Sequence, residues 1–128
     1  MIKQSVHLNA TPEDVYEALM DEKKHAEFTG ASAQIENRVG GKFSVWDGYA
    51  TGETTELIPG KKIVQSWRAS DWPEDADSTV TFELKPDGDG TTLIFTHSHV
   101  PPEFKKEVSD GWKDFYWEPL KKYLAKNQ

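Results

Sequence analysis

Hydrophobic and polar residues alternate with a period of two in seven segments of this 128-residue chain. The first run places Ile2, Val6 and Leu8 on one face and Lys3 and Ser5 on the other, which is typical of a strand with one buried face. Six further runs show the same alternation. The predicted strands span residues 2–9, 33–37, 42–46, 51–58, 62–70, 78–85 and 91–99.

Short connections rich in glycine separate the predicted strands. Glycine adopts positive φ at little cost, so these sequences are typical of tight turns. A parallel crossover needs about a dozen residues, and these connections therefore predict an antiparallel sheet of six or seven strands. The turn sequences are Gly40-Gly41, Asp47-Gly48, Pro59-Gly60 and Asp87-Gly88-Asp89-Gly90.

A short helix is predicted directly after the first strand. Thr11 is suited to cap its N-terminus, and Pro12 is suited to its first turn. Val15, Ala18 and Leu19 follow at the spacing of one buried helical face. We expect this helix to end near residue 21, with a short turn or helix leading from there to residue 30.

A second, longer helix is predicted over residues 103–125. Its apolar positions recur at steps of three and four, which makes a stripe too broad to leave in water. Pro119 lies inside this helix and is expected to bend it near Phe115, because proline removes one amide hydrogen bond. The apolar positions are Phe104, Val108, Trp112, Phe115, Tyr116, Leu120, Tyr123 and Leu124.

These elements predict an α+β fold in which the long helix covers one face of the antiparallel sheet. One face of such a sheet must be buried, and the segment 103–125 is the only predicted element long and apolar enough to bury it. No break in composition and no internal repeat divides the chain, so we expect a single domain over residues 1–128.

The composition excludes several function classes. The net charge is −7, which disfavours nucleic acid and anionic membranes as partners. The chain has no cysteine, so disulfides, thiolate metal sites and cysteine nucleophiles are excluded. No apolar run approaches the roughly 20 residues of a membrane span, and residues 1–9 lack the pattern of a secretory signal. We predict a cytoplasmic protein.

The order and spacing of several short motifs resemble the START-like (SRPBCC) superfamily, and most closely the family named for the activator of the heat-shock protein 90 ATPase. The resemblance covers nearly the whole chain, and from Gly40 to Glu74 it is to the C-terminal domain of that co-chaperone. The motifs are Thr11-Pro12-Glu13-Asp14-Val15-Tyr16, Gly40-Gly41-Lys42-Phe43, Asp47-Gly48-Tyr49-Ala50-Thr51-Gly52-Glu53, Leu57-Ile58-Pro59-Gly60-Lys61-Lys62-Ile63-Val64, Trp67-Arg68, Trp72-Pro73-Glu74, and Gly111-Trp112 with Phe115-Tyr116.

The resemblance implies a helix-grip fold, in which a curved antiparallel sheet wraps around the C-terminal helix. In START-like proteins the space between sheet and helix is often a cavity for an apolar ligand. A fully packed core is the alternative, because the same side chains line both. The residues expected there are Phe43, Val45, Trp67, Phe82, Phe95, His97, Trp112, Phe115 and Tyr116.

His97 and His99 are predicted on one face of the last strand, with Leu93 and Phe95. Two imidazoles at this spacing can share a metal ion, but spacing suggests no third ligand. We therefore expect His97 to be a hydrogen-bonded residue at the mouth of the interior, with His99 nearer the rim. Contact with a ligand, or sensing of pH, is the alternative role.

Arg68 is expected to face water opposite Trp67, near the acidic segment that carries Trp72 and Glu74. One interpretation is a solvated loop with a weak ion pair. The alternative is a protein-interaction surface, since an exposed tryptophan among charges is typical of interfaces.

No catalytic motif and no cofactor-binding motif is present in the sequence, so we predict a protein that is not an enzyme and has neither cofactor nor metal. The first hypothesis is a binding domain of this family that takes a small hydrophobic molecule between sheet and helix. The second is a module that docks on heat-shock protein 90 and modulates its ATPase. The weakest alternative is a START-like cyclase or hydrolase, with His97 and Tyr116 as acid or base.

Overall fold

A curved, seven-stranded antiparallel sheet frames the computed structural model, which describes residues 1–73 and 76–126. The strand order is β1-β7-β6-β5-β4-β3-β2, so that consecutive strands from β2 to β7 are neighbours and β1 lies beside β7. The predicted antiparallel sheet is therefore confirmed. The strands are β1 (Ile2–Leu8), β2 (Gln34–Ile35), β3 (Lys42–Val45), β4 (Ala50–Ile58), β5 (Lys62–Ala69), β6 (Ser78–Asp87) and β7 (Gly90–Ser98).

Two short helices follow β1: α1 (Pro12–Met20) and α2 (Glu22–Thr29). The Thr11 hydroxyl accepts the Asp14 N–H at 3.2 Å, as the predicted N-cap requires. Asp21 ends α1 and also caps α2, because its carboxylate accepts two backbone N–H groups at 3.0 Å. Gly30, at φ 76°, ends α2. The segment predicted as a short turn or helix is thus a complete second helix.

The C-terminal helix runs over residues 102–126 in four consecutive pieces. A 3₁₀ turn (Pro102–Phe104) leads into α3 (Lys105–Trp112), a π-helical turn (Lys113–Trp117) follows, and α4 (Glu118–Lys126) ends the described chain. The Glu118 N–H donates to the Lys113 carbonyl, five residues back. Because Pro119 has no N–H to donate to the Phe115 carbonyl, the α-helical ladder is interrupted at the position where the sequence predicts a bend.

The π turn places Trp112, Tyr116 and Trp117 together against the sheet, and all three are buried. The ring centroids of Trp112 and Phe95 lie 4.4 Å apart, and those of Trp112 and Tyr116 lie 4.5 Å apart. The helix is also bound to the edge strand β1, since the Trp117 indole donates to the Gln4 side chain at 2.6 Å. The expected coverage of the sheet by this helix is therefore observed.

Phe115 is the exception among the residues predicted for the interior, and that prediction is wrong. Its side chain is 59% exposed. The extra residue in the π turn rotates the helix so that positions 116 and 117 both face the sheet, which leaves position 115 outside.

Gly52 in β4 is required by the close approach of β5. A Cβ on Gly52 would lie 1.9 Å from the Ser66 carbonyl oxygen and 2.7 Å from a ring carbon of Phe43. Replacement by alanine therefore forces the two strands apart.

We predict that Gly52→Ala lowers the free energy of unfolding by about 2–4 kcal/mol, measured by urea unfolding. Gly88→Ala is the matched control, because Gly88 has φ +63° but no atom within 4 Å of an added Cβ. Only conformational strain of about 1–2 kcal/mol is expected there. Equal losses in the two variants would contradict the proposed close contact.

Candidate functional site

A chain of hydrogen bonds joins the C-terminal helix to the sheet through His97. The Trp112 indole Nε1–H donates to Nδ1 of His97 at 3.1 Å. The other ring nitrogen, Nε2, lies 2.7 Å from Oγ of Ser78, and the Ser78 hydroxyl donates to the Trp67 carbonyl at 2.6 Å. An indole only donates and a carbonyl only accepts. His97 is therefore the neutral tautomer that carries its proton on Nε2.

Burial lowers the pKa of His97 to about 3. The hydrogen bonds also lower this pKa. Protonation would place a proton on Nδ1, which already accepts the Trp112 N–H, so two donors would then face each other. The predicted hydrogen-bonded histidine is thus observed, but it lies in the packed interior rather than at a mouth.

A second buried histidine, His25 on α2, was not predicted from the sequence. Its Nδ1 donates to the Leu19 carbonyl at 3.2 Å, and its Nε2 accepts the Tyr116 hydroxyl at 3.0 Å. Burial lowers the pKa of His25 to about 4, opposed in part by the bond to Leu19. The signal that was available is the spacing of His25 and Phe28, which share one buried face once α2 is recognised as a helix.

The space between sheet and helix is almost completely filled. The cavity that remains has a volume of about 20 Å³, which is room for about one water molecule. Phe43, Val45 and Phe82 line it, together with Trp67, Trp112 and Tyr116. Of the two interpretations left open by the sequence, a packed core describes this central space.

A larger, open cleft lies beside the packed core, between the β3–β4 turn and the C-terminal helix. Its volume is about 420 Å³. Six of its lining residues are aromatic, and we call it the aromatic cleft. It is lined by Trp46, Tyr49, Trp67, Asp71, Glu107, Val108, Gly111, Trp112, Phe115 and Tyr116.

An unusual turn places Trp46 at this cleft. Trp46 and Asp47 both have positive φ, at 56° and 57°, which is uncommon for residues other than glycine. The turn is held by Ser32, whose N–H donates to the Asp47 carboxylate at 2.8 Å and whose carbonyl accepts the Asp47 N–H at 3.2 Å. The Trp46 ring then lies 5.8 Å from Phe115 and 5.9 Å from Tyr116, edge to face in both pairs.

Tyr49, Asp71 and Glu107 form the polar part of the aromatic cleft. The Ser70 N–H donates to the Tyr49 carbonyl at 2.7 Å, which holds the loop carrying Asp71 beside Tyr49. Burial raises the pKa of Tyr49 to about 12, and the negative charges of Asp71 and Glu107 act in the same direction. The two carboxylates therefore belong to different elements, a loop and α3, and both interact with the Tyr49 hydroxyl.

Four of the nine residues predicted to bind a ligand line the aromatic cleft: Trp67, Trp112, Phe115 and Tyr116. Phe95 and His97 line neither the cleft nor the small cavity. The sequence interpretation missed Trp46, Tyr49, Asp71, Glu107, Val108 and Gly111. Trp46 and Tyr49 could have been found from the sequence, because they flank the turn Asp47-Gly48 and a tight turn brings its flanking side chains together.

The predicted interaction surface at Arg68, Trp72 and Glu74 is corrected in part. Trp72 is only 4% exposed, because its ring packs against Trp67 at a centroid distance of 5.3 Å. The Arg68 guanidinium donates to the backbone carbonyls of Trp72 and Pro73, at 3.1 and 3.2 Å, and so holds the loop closed. Glu74 lies outside the described residues.

His99 does not share a face with His97, which is a further correction. Strand β7 ends at Ser98, and His99 adopts φ 65° in the bend that follows, where its side chain is exposed. Within residues 1–73 and 76–126, no group of three or more histidine, aspartate and glutamate side chains is placed to hold a metal ion. No helix in this described part of the chain has both the length and the apolarity to cross a membrane.

The curved antiparallel sheet and the C-terminal helix that covers it define the helix-grip class of START-like folds. Within that class, the family model for "Activator of Hsp90 ATPase homolog 1-like protein" matches residues 9–125. The chain belongs to this family. The family is named for activators rather than for an enzyme.

Individual relatives agree with this assignment. The chain is 33% identical over 111 residues to the human activator of 90 kDa heat shock protein ATPase homolog 1. This match covers 87% of this chain and 33% of the human protein. The corresponding Dictyostelium discoideum protein is 32% identical over 113 residues, covering 88% of this chain and 30% of that protein. This chain thus spans about one third of the length of these curated relatives.

A solved structure is similar over its full length. The crystal structure of an HSP90 activator from Plasmodium falciparum superimposes with a TM-score of 0.88 at 27% sequence identity. The match covers 98% of this chain and 97% of the Plasmodium chain.

The two buried histidines predict a specific dependence on pH. Both rings are neutral in the folded state, whereas in the unfolded chain they take up protons near pH 6.5. Their contribution to stability is therefore complete above pH 6.5 and is lost as the pH falls towards 4 and 3. Below pH 6.5 each ring lowers the free energy of unfolding by up to about 1.4 kcal/mol for each unit by which the pH falls.

We expect the imidazole Cε1–H resonances of His25 and His97 to stay constant in NMR titrations from pH 7.5 to pH 5. His25→Gln and His97→Gln identify the two signals. The acid-induced loss of stability should be retained in His99→Gln, where the replaced ring is exposed. Titration of either buried ring with a midpoint near 6.5 would contradict its assigned environment.

Proposed function

We propose that this chain is a non-enzymatic binding protein that takes a small apolar molecule into the aromatic cleft. The observation that carries the proposal is the cleft itself, with about 420 Å³ and six aromatic side chains in its lining. Ligand pockets are typically of about 300–1,000 Å³ and are lined by apolar and aromatic groups with few polar ones. The cleft meets both conditions, whereas the 20 Å³ interior cavity has no room for a ligand.

The hydrogen bonding of the buried polar side chains supports a binding role over catalysis. Both ring nitrogens of His97 are engaged with protein groups, and the Tyr116 hydroxyl is directed to His25. Neither side chain is available to a bound molecule as an acid or base without breaking its interior hydrogen bonds.

Apolar burial would supply the affinity. A ligand that buries about 200 Å² of apolar surface gains roughly 5 kcal/mol at about 25 cal/mol per Å². The loss of translational freedom on binding offsets part of this gain. Because about 4 kcal/mol of net binding free energy corresponds to a dissociation constant of about 1 mM, we expect roughly millimolar dissociation constants for simple aromatic probes.

Gly111 offers a direct test, because it lines the cleft and an added Cβ meets only the Phe115 ring, at 3.8 Å. We predict that Gly111→Phe fills the cleft and weakens binding of the neutral fluorophore N-phenyl-1-naphthylamine at least about tenfold, measured by fluorescence titration. The matched control is Gly111→Ala, which leaves most of the cleft open. Alanine also gains about 1 kcal/mol of helix propensity over glycine.

Saturable binding that is equal in wild type, Gly111→Ala and Gly111→Phe would place the fluorophore elsewhere and overturn the proposed site. The absence of saturable binding to the wild-type protein would overturn the proposal itself. Urea unfolding of all three proteins establishes that any loss of binding is not a loss of folding.

A second candidate function is docking on a heat-shock protein 90 chaperone and modulation of its ATPase. The observation that favours it is the full-length similarity to the Plasmodium falciparum HSP90 activator. We propose the nucleotide-binding domains of the chaperone as the contact, because the family resemblance implies that this type of domain touches them. A cytoplasmic location, predicted from the sequence, is consistent with such a partner.

We predict that the purified protein binds the heat-shock protein 90 of its own organism in calorimetric titration and changes its ATPase rate. Gly111→Phe is expected to retain this effect if the ligand cleft and the docking surface are separate. A chaperone ATPase rate that stays constant on saturation with this protein would contradict the second candidate.

A further inference from the structure

The charged groups of the aromatic cleft all have the same sign. Among the described residues that line the cleft, Asp71 and Glu107 are the only charged side chains, and none is a lysine or an arginine. Within residues 1–73 and 76–126 neither carboxylate forms an ion pair with a described basic side chain. The cleft therefore presents two carboxylates that have no ion-pair partner among the described residues, and one of them, Asp71, is hydrogen-bonded to the Tyr49 hydroxyl.

The aromatic rings add to this negative potential. Trp46 meets Phe115 at an interplanar angle of 71° and Tyr116 at 66°, so three rings of different orientation line one side of the cleft. The face of an aromatic ring is the negative pole of its quadrupole, and it attracts organic cations within about 6 Å of the centroid. Several faces around one space make the arrangement that binds alkylated ammonium groups.

The electrostatics at Tyr49 support the same description. The charges of Asp71 and Glu107 both act to raise the pKa of the Tyr49 hydroxyl, so both carboxylates lie close enough to interact with this one group of the cleft. A carboxylate or phosphate on a ligand would meet this repulsion while losing its own hydration.

We infer that the aromatic cleft binds an organic cation, in which an alkylated ammonium group is attached to an apolar body. The carboxylates of Asp71 and Glu107 neutralise the ammonium, and the rings of Trp46, Phe115 and Tyr116 enclose its alkyl groups. The inference rests on the proposed function, and it adds the charge and chemical class of the ligand.

Three probes of the same shape separate charge from apolar contact. They are (3-hydroxyphenyl)trimethylammonium, its neutral carbon isostere 3-tert-butylphenol, and the anion 3-hydroxybenzenesulfonate. Dissociation constants are measured by calorimetry, and the site is located from shifts of the Trp46 indole N–H in NMR spectra. Trp46→Phe identifies that signal.

We expect the cation to bind about five- to tenfold more tightly than the neutral isostere, and the anion to bind most weakly. This preference should shrink at about 1 M salt, where the Debye length falls to about 3 Å. In the double variant Asp71→Asn, Glu107→Gln the cation and the isostere should bind equally within about twofold.

Asp110→Asn is the control, since it removes one exposed carboxylate, and its ion pair with Lys106, from the same helix without touching the cleft. It should retain the preference for the cation. Asp71 and Glu107 are both exposed, so their replacement is not expected to prevent folding.

Equal affinity for the cation and its isostere in the wild-type protein would overturn the inference and leave the apolar binding site in place. A preference that survives the double variant would also overturn it, because the carboxylates would then not be its source. Absence of binding by all three probes would overturn both the inference and the proposed function.

Discussion

The indole of Trp112 is the contact on which the rest of this structure depends. Its N–H donates to a buried, neutral His97, and its ring packs on Phe95 with centroids 4.4 Å apart. The same ring lines the aromatic cleft, so one side chain joins helix to sheet and forms a wall of the candidate site. A buried donor without its acceptor would cost about 1–3 kcal/mol, which favours this one placement of the helix over others.

The π turn explains why a packed core and an open cleft occur side by side. Pro119 interrupts the α-helical ladder, and the wider turn before it brings both Tyr116 and Trp117 onto the sheet. Phe115 is left outside, where it faces Trp46. The residues that close the interior therefore also create the aromatic wall beside it, and the open space lies next to the core rather than inside it.

Local sequence patterns predict most of the fold. The alternation, the turn glycines and the cap at Thr11 determine elements from neighbours in the chain. The apolar stripe of the long helix identifies the sheet face that it must cover. The site was less predictable because it depends on pairs far apart in sequence. The burial of Trp72 follows from Trp67 and Phe104 packing around it, and the outward position of Phe115 follows from one extra residue in a helical turn.

Hydrogen exchange of the Trp112 indole N–H tests the central contact most directly, with the Trp46 indole as an internal reference at the half-buried cleft. If Trp112 is bound to His97 and sealed against the sheet, its N–H exchanges only on global unfolding, many-fold more slowly than that of Trp46. Exchange of the Trp112 N–H at a rate similar to that of Trp46 would contradict the account, because the helix would then not be anchored through His97.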